Sequence, residues 1–317
     1  MSARRMVVFG SLSQDFVVNV PRLPAKGETI RGTDFGMFAG GKGNNQAMAA
    51  ARAGGDLVEV VMVGRVGADS FGDMLIETLK KNNVDTKFVS KDETVGTGIA
   101  LITVDAAGDN NIVIAQRSNL MLSASDAENA RSAFDGAVTL MLQLEVPFEA
   151  NIAAAKLARE YGHMVHLNPA PAPADGKIPD ELWELIDVVT PNQTEVALLT
   201  GMEVTDLHTG VEAAQKLKDK GPKVIILTMG DQGCVLLQHD NQPVIYKPYS
   251  VNSVDATAAG DAFCGALAAG WTQGLVLEKA LERACAAGAL ATTKMGAEPS
   301  LPTKEEIEEL MKQKVKV

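Results

Sequence analysis

The chain has 317 residues, of which 46% are hydrophobic, and a formal net charge of −11. A chain of this length can bury the core of one large α/β domain or of two small ones. Its acidic balance, without a block of basic residues, argues against a broad surface for nucleic acid or for an anionic membrane. Because the start of the chain lacks a signal-peptide pattern and no apolar run reaches ~18 residues, we expect a cytoplasmic protein.

Short β-rich segments alternate with amphipathic segments through most of the chain. The predicted strands are residues 6–10, 58–64, 138–145, 163–168, 186–192 and 223–230, and the predicted helices are 70–81, 148–161 and 209–220. Strands that are apolar throughout and separated by helices are typical of a parallel sheet covered on both faces. The pattern therefore predicts an α/β fold, a three-layer αβα domain with a mostly parallel central sheet.

Three segments break this alternation. Residues 15–20 with the following 28–38, residues 98–104 and residues 111–117 are strand-like but are not followed by helices. The last two flank AAGDN, a plausible hairpin turn. We predict a single domain over residues 1–317 that carries a small antiparallel β lid, formed by approximately 15–39 and 96–118. Residues 304–317 predict a solvated terminal helix.

The three cysteines, Cys234, Cys264 and Cys285, are odd in number and form no CxxC pair. This favours buried thiols in a reducing compartment. We therefore expect neither a disulfide framework nor a structural zinc site built on them.

The stretch SVNSVDATAAGDAFCGALAAGWTQG, residues 250–274, predicts a helix of small residues that begins near AAGD. Helix N-termini present unpaired N–H groups and the positive end of the macrodipole. The amides of Ala258, Ala259 and Gly260 could approach a phosphoryl group, and Asp261 could accept the proton of the attacking hydroxyl. The alternative, equally favoured from local sequence, is that Asp261 only caps the helix.

A lysine lies within a second glycine-rich stretch, FAGGKGNNQAMAAARAGG, at residues 38–55. Gly36, Gly41 and Lys42 match the Walker A pattern GxxxxGK[ST] up to its last position. Gly43 stands at that position and lacks the hydroxyl that holds Mg²⁺ against the phosphates. The lysine therefore needs another explanation than a Walker loop.

The whole chain from Phe9 to Pro302 resembles the ribokinases of the PfkB carbohydrate kinase family. The motifs are GSLSQDF, AGGKGNNQAMAAARAG, MLQLEVP, LNPAPA, TPNQTE, TMGDQG and VDATAAGDAFCGAL, in the family's order and at roughly its separations. GGKGNNQA and DATAAGDAFCGAL resemble the two family signatures, and their joint presence is highly specific.

The resemblance implies a sugar site at the glycine-rich stretch. The implied residues are Ser13, Asp15, Gly41, Lys42, Asn45, Glu145 and Asp261. Lys42 would then bind sugar hydroxyls, and Asp15 would accept hydrogen bonds from the paired hydroxyls of ribose. Ser13 departs from the family, which usually has Asn there. Serine is shorter and offers one donor, so we expect a pocket that differs in grip or in preferred sugar.

Each of three polar residues near this site also has a structural interpretation. Asp15 could be a loop carboxylate in water, which local sequence alone favours. Glu145 could cap the helix that starts near Phe148, and Asn44 could cap the helix that follows Lys42.

For the nucleotide, the resemblance implies a site at the later motifs. The implied ATP-binding residues are Asn192, Glu195, Thr228, Gly230, Gly233, Gly260 and Cys285. Asn192 and Glu195 would lie near the phosphates and the water shell of Mg²⁺, which borrows few protein ligands. We expect Cys285 to pack against the adenine.

The resemblance also implies an activating K⁺ beside the helix N-terminus. The matching positions are Asp255, Thr257, Ala291, Lys294, Gly296 and Ser300, with Lys294 offering only its carbonyl oxygen. Such an ion would fix the amides of the AAGD turn without touching the substrate.

Together these features predict an ATP-dependent kinase for the 5-hydroxyl of D-ribose, acting as a homodimer paired through the lid. A kinase for 2-deoxyribose, fructose or adenosine is the alternative within the family. A protein that senses a sugar or a nucleotide without catalysis is the alternative from another functional class. A dinucleotide-binding dehydrogenase would need GxGxxG after the first strand, where Gly10 is followed by Ser11 and Leu12 instead.

Overall fold

The structure is a computed structural model that describes residues 3–238 and 242–313. In chain order its strands are β1 (Arg4–Phe9), β2 (Ser13–Asn19), β3 (Asp34–Gly40), β4 (Val58–Gly67), β5 (Val84–Asp92), β6 (Gly98–Val104), β7 (Asn110–Ala115), β8 (Ala137–Leu142), β9 (Met164–Leu167), β10 (Val188–Val189), β11 (Val224–Thr228), β12 (Cys234–Leu237) and β13 (Val244–Tyr246). Its helices are α1 (Lys42–Gly54), α2 (Ser70–Lys81), α3 (Ala124–Asn129), α4 (Arg131–Phe134), α5 (Phe148–Glu160), α6 (Asp180–Trp183), α7 (Gln193–Thr200), α8 (Leu207–Lys218), α9 (Ala259–Gln273), α10 (Leu277–Ala291) and α11 (Lys304–Gln313). Over these two ranges, no helix has the length and apolar character needed to cross a bilayer.

The large sheet has the order β13-β12-β11-β10-β9-β8-β1-β4-β5. Every pairing from β11 to β5 is parallel, and β12 and β13 add an antiparallel edge. The predicted mostly parallel sheet is thereby confirmed. The sequence analysis missed β5 at the opposite edge, whose polar sequence VDTKFVSKD suits a solvated edge strand.

Side chains of the central strand β1 alternate between two cores. Met6 and Val8 belong to a cluster that includes α1, α9 and α10. Val7 and Phe9 belong to a cluster on the other face that includes α5 and α8. From Met6 to Phe9 every residue of the strand is apolar and buried, which is the pattern that predicted helices on both sides.

Helices α1 and α9 lie unusually close together. A Cβ placed on Gly265 of α9 would be 2.6 Å from the Cβ of Ala49 and 2.8 Å from the carbonyl oxygen of Gln46 on α1. Glycine and alanine at this contact let the two backbones approach. The approach brings the first turn of α9 beside the polar start of α1.

The predicted small sheet is present, with the order β3-β2-β6-β7. The β2–β3 and β6–β7 pairings are antiparallel and the central β2–β6 pairing is parallel. The predicted AAGDN turn joins β6 to β7, with the Asp105 amide donating to the Asp109 carbonyl. Of the predicted terminal helix, residues 304–313 are helical and the last four lie outside the described residues.

Candidate active site

Asp261 lies buried in the first turn of α9 and faces α1. Its Oδ2 accepts a hydrogen bond from Asn45 Nδ2 at 3.1 Å, and its Oδ1 accepts one from Gln46 Nε2 at 2.9 Å. The helix begins after Ala258, which has a left-handed φ of 59°, and no side chain of the described residues caps it. The interpretation of Asp261 as a simple helix cap is therefore wrong.

A chain of side-chain amides holds Gln46 against this carboxylate. Gln46 Nε2 also donates to Asn168 Oδ1 at 2.9 Å, and Gln143 Nε2 donates to Gln46 Oε1 at 2.6 Å. Asn168 in turn donates to the Thr190 carbonyl at 2.8 Å. The sequence analysis missed these residues. The available signal was a polar residue after β8 and another after β9, since carboxyl ends of parallel strands line ligand sites.

The charges of Asp261 and Lys42 each affect the pKa of the other group. Burial raises the pKa of Asp261, although the charge of Lys42 and the two amide donors oppose the shift. Burial lowers the pKa of Lys42, but the negative charges of Asp261, Glu145 and Glu195 more than reverse this and raise it. Lys42 is therefore an ammonium at neutral pH, the state that can donate to a hydroxyl or a phosphate.

Glu145 caps α1 from the end of β8. Its Oε2 accepts from the Lys42 amide at 2.9 Å and from Ser11 Oγ at 2.5 Å, and Ser11 Oγ accepts from the Gly43 amide at 3.2 Å. The alternative in which Glu145 caps the next helix is wrong, because α5 begins after Pro147 without a side-chain cap among the described residues.

Asn44 does not cap α1 either, since the helix begins at Lys42 after Gly41. Asn44 lies inside the helix and is fully buried. Within the part of the chain that the structure describes, neither polar atom of its side chain has a hydrogen-bond partner.

Asp15 lies on β2 with its carboxylate against the backbone of Gly40. A Cβ on Gly40 would be 2.2 Å from Asp15 Oδ1, so glycine is what leaves room for the carboxylate. Burial, then the charges of Glu145 and Asp261, raises the pKa of Asp15 to about 7. The interpretation of Asp15 as a loop carboxylate in water is wrong.

Ser13, on the same face of β2 as Asp15, is buried against an amide that the sequence analysis did not identify. Asn119 Nδ2 donates to Ser13 Oγ at 3.2 Å and to the Leu12 carbonyl at 2.9 Å, and Asn119 Oδ1 accepts from the Leu12 amide at 2.9 Å. The serine hydroxyl thus contacts an amide supplied from a distant part of the chain.

Two adjoining cavities meet at the N-terminus of α9. The smaller, about 190 Å³, is bordered by Lys42, Asp261, Glu195 and Cys264 among others. The larger, about 760 Å³, has a mostly apolar wall. Both are bordered by Asn192, Thr228, Ala256 and Gly260, so the predicted transfer and nucleotide residues are brought together.

The amides predicted for the anion hole are not equivalent. Ala258 and Gly260 border the smaller cavity, whereas the Ala259 amide donates to the Ala256 carbonyl at 3.2 Å. A role for Ala259 in holding a phosphate stays a prediction.

The predicted nucleotide residues lie at turns around the larger cavity. Asn192 and Glu195 form a capping box at the start of α7, each side chain accepting from the other's amide at 2.8 Å. This box fixes both side chains where they border the smaller cavity, and its N-x-x-E pattern was readable from the sequence. Gly230 and Gly233, with φ of 55° and 94°, shape the turn after β11, and Cys285 lies on the wall.

Hydrogen bonds join three of the six predicted K⁺ positions, Asp255, Thr257 and Gly296. Asp255 accepts from the Thr257 amide and hydroxyl and from the Gly296 amide, at 2.7–2.9 Å. Ser300 Oγ donates to the Ala297 carbonyl at 2.7 Å. Lys294 Nζ contacts Glu306 at 2.9 Å, which is consistent with that lysine offering only its carbonyl, and Ala291 ends α10.

Comparison with known proteins identifies the family to which the chain belongs. The family model for pfkB family carbohydrate kinases matches residues 3–304. The chain belongs to the pfkB carbohydrate kinase family. As a member it is a phosphotransferase, and the dehydrogenase interpretation is dropped.

Relatives cover this kinase almost end to end. A ribokinase of Haemophilus influenzae is 36% identical over 312 residues, 97% of this chain and 98% of the relative. A deoxyribokinase of Salmonella typhi is 35% identical over 313 residues, 96% of this chain and 98% of the relative. The structure of Arabidopsis thaliana ribokinase complexed with ribose and ATP has a TM-score of 0.87 and 32% identity, covering 98% of this chain and 99% of that one.

The amide network yields a prediction for Gln46. The variant Gln46→Met keeps the side-chain length but removes one of the two amide donors to Asp261, a hydrogen bond to a charged group worth roughly 1.5–3 kcal/mol. We expect turnover to fall by about 10- to 100-fold, with a smaller change in KM. The variant Gln46→Glu puts a second carboxylate beside Asp261, so the pH of half-maximal turnover should rise.

The measurement is kcat and KM against pH for both variants. Gln273→Met is the matched control, because among the residues that the structure describes its amide hydrogen-bonds only to the Gly54 carbonyl, at the far end of α9, and its loss should leave turnover unchanged. Wild-type turnover and pH profile in both Gln46 variants would show that the network does not position Asp261.

Proposed function

We propose that this kinase transfers the γ-phosphoryl group of ATP to the 5-hydroxyl of D-ribose. The observation that carries the proposal is the buried Asp261 carboxylate, held by two amides at the N-terminus of α9 where the two cavities meet. The relative from Haemophilus influenzae is named a ribokinase, and the Arabidopsis thaliana structure is a complex with ribose and ATP. A sensor that only binds sugar or nucleotide needs no proton acceptor, so the position of this carboxylate favours an enzyme.

Asp261 would accept the proton of the sugar hydroxyl as that oxygen attacks the γ-phosphorus. The transition state is loose, so the hydroxyl needs little deprotonation before attack, and positioning matters more than basicity. Lys42 and the amides of Ala258 and Gly260 would donate to the phosphoryl oxygens or to sugar hydroxyls. The backbone amides are held by the turn before the reaction, which is the condition for stabilising a developing charge.

Asn192 and Glu195 are the residues that would hold Mg²⁺ beside the nucleotide, through its water shell. Glu195 fits this role because burial raises the pKa of its carboxylate, so a nearby cation would favour the charged form. The described residues contain no cluster of three or more His, Cys, Asp or Glu side chains that could hold a metal ion. Mg²⁺ keeps several of its waters and uses few protein ligands. When bound, Mg²⁺ neutralises charge on the β and γ phosphates.

The sugar would lie among Asp15, Lys42, Asn45, Glu145 and the Asp261 end of the smaller cavity. Such a set offers both acceptors and donors to a polyol. 2-Deoxyribose is the second candidate, favoured by the Salmonella typhi relative and by Ser13, whose hydroxyl is engaged with Asn119. The cytoplasmic location remains a prediction.

The function is tested by ADP release across a panel of ribose, 2-deoxyribose, fructose and adenosine, with ATP and Mg²⁺. We expect the highest kcat/KM with ribose. In Asp261→Asn the turnover should fall by about 10²-fold or more because the proton acceptor is lost, while calorimetry still detects sugar binding and ATP binding. Full turnover in this variant would refute the assigned role, and a flat panel would refute the sugar assignment.

The raised pKa of Asp15 predicts how sugar affinity depends on pH. Ionised Asp15 accepts two hydroxyl hydrogen bonds and protonated Asp15 does not, so affinity is full above the pKa of about 7 and is lost as the pH falls through it. Between about pH 8 and about pH 6 the Kd for ribose should rise by about tenfold. Isothermal titration in two buffers of different ionisation enthalpy should also detect proton release on binding near pH 7.

Asp15→Asn is the control for this pH dependence. It should bind ribose weakly at every pH and release no proton from this position. A wild-type Kd that stays constant over the same range would contradict the assignment of Asp15.

We also propose an activating K⁺ at the Asp255 loop. Hydrogen bonds from Thr257 and the Gly296 amide lower the pKa of Asp255 although burial raises it, so this carboxylate is charged and available to a cation. Turnover should be several-fold higher in KCl than in NaCl at equal ionic strength, because the ion fixes the neighbouring amides. Equal rates in the two salts would remove this proposal.

We propose further that the small sheet is a lid and that two copies pair through it. Phe35, Met37, Leu101 and Val113 share one face of this sheet and are each 45–65% exposed. A thin sheet with an exposed apolar face is marginally stable alone. Light scattering at micromolar concentration should give a dimer, and Leu101→Asp should shift it toward monomer. A monomeric wild-type protein would contradict the pairing.

A further inference from the structure

Two cysteines meet at the wall of the larger cavity. The Sγ atoms of Cys234 and Cys285 are 3.6 Å apart although the residues are 51 positions apart in the chain. Cys234 begins β12, where it pairs with Thr228 of β11 and Tyr246 of β13. Cys285 lies on α10. The two thiols are not joined by a disulfide bond.

The two cysteines differ in their access to solvent. Cys234 is 1% exposed, whereas Cys285 is partly exposed and borders the larger cavity together with Gly233 and Tyr249. A small oxidant entering this cavity would therefore meet Cys285 first. Cys234 lies behind it, at a distance from which its sulfur can attack a bond formed at Cys285.

We propose that Cys234 and Cys285 form an oxidation site that takes a small-molecule disulfide, such as glutathione disulfide, as its oxidant. The Cys285 thiolate attacks one sulfur of the oxidant, forming a mixed disulfide and releasing one thiolate. The Cys234 thiolate then attacks Sγ of Cys285 and releases the second. Two protein thiols are oxidised to one disulfide, the oxidant is reduced to two thiols, and the protons from the cysteines pass to the released thiolates.

The bond would alter the cavity wall. A disulfide needs its sulfurs about 2.05 Å apart, so the two atoms must approach by about 1.5 Å. β12 is hydrogen-bonded to a strand on each side, so we assign the approach to Cys285, through rotation of its side chain and a small shift of α10. Cys285 would leave its present place on the wall and pull α10 toward the sheet.

The disulfide should also affect ATP binding, and this part of the inference rests on the proposed function. If the larger cavity holds the adenosine part of ATP, a shift of about 1 Å in its wall should weaken ATP binding by about 3- to 10-fold. Binding should recover when dithiothreitol reduces the bond. The site itself can be tested without reference to any activity.

The full-length protein is incubated with glutathione disulfide, denatured, and treated with N-ethylmaleimide. We expect intact mass to show a single alkylated cysteine, and peptide mapping to show a link between residues 234 and 285. Cys234→Ser should instead keep glutathione on Cys285, and Cys264→Ser should still form the link. Three alkylated cysteines in the wild type, or glutathione that stays on Cys285, would overturn the site.

The effect on the nucleotide is measured separately, by titrating ATP into oxidised and reduced protein. Cys285→Ser, titrated before and after exposure to the oxidant, is the control, because neither the 234–285 bond nor a glutathione adduct can form on the cavity wall in it. An ATP Kd that is the same for the linked and reduced wild type would overturn the coupling to the nucleotide. A protein that forms the link but has no sugar kinase activity in its reduced form would count against the proposed function alone, because the link is detected by mass.

Discussion

A carboxylate buried between two helices is the constraint on which this site depends. Removing a charge from water costs several kcal/mol unless donors replace the solvent, and Asp261 receives such donors from Asn45 and Gln46. Both donors lie on α1, so α1 and α9 must be close enough for amide side chains to reach. Gly265 permits that approach by having no side chain where the backbones meet. The packing of the core and the geometry of the candidate site are therefore one requirement, because a shift of either helix would expose the carboxylate or separate it from its donors.

The sequence predicted those features that local patterns encode. Apolar strands buried on both faces, exemplified by β1, gave the parallel sheet, and the turn after β6 gave the hairpin. The contact between Gln46 and Asp261 joins residues 215 positions apart, and no local pattern encodes such a pairing. For the same reason Asp261 alone could not be separated from a helix cap, nor Glu145 from a cap of α5. Asp261 and the amides of its turn came from the helix pattern and most other site residues came from the family resemblance, whereas the hydrogen bonds that hold Asp261 became visible only in three dimensions.

The excess of carboxylates over lysine at the proposed sugar site gives a physical reason for the cations proposed beside it. Burial raises the pKa of Asp15 and of Asp261, and the charge of Glu145 adds to the rise at both, while the Lys42 ammonium opposes it at Asp261. A bound polyol would donate hydrogen bonds to these carboxylates and favour their charged forms. The site would then become more negative as the sugar binds, before an anionic nucleotide arrives. Positive charge held near the phosphates would offset this repulsion. Glu195 borders the smaller cavity and Asp255 precedes Ala256, which borders both cavities, so these carboxylates could hold it.

The turn at Ala258 shows how the fold keeps its donors in place. An alanine in the left-handed region costs about 1 kcal/mol or more relative to the right-handed form, so an isolated turn would relax. Here the turn continues into α9, whose buried residues pack against α1 and α10. The packing energy of a 15-residue helix exceeds the local strain, so the turn is retained. Amides held in this way need not reorganise when negative charge develops beside them, which is the physical basis of their expected contribution to phosphoryl transfer.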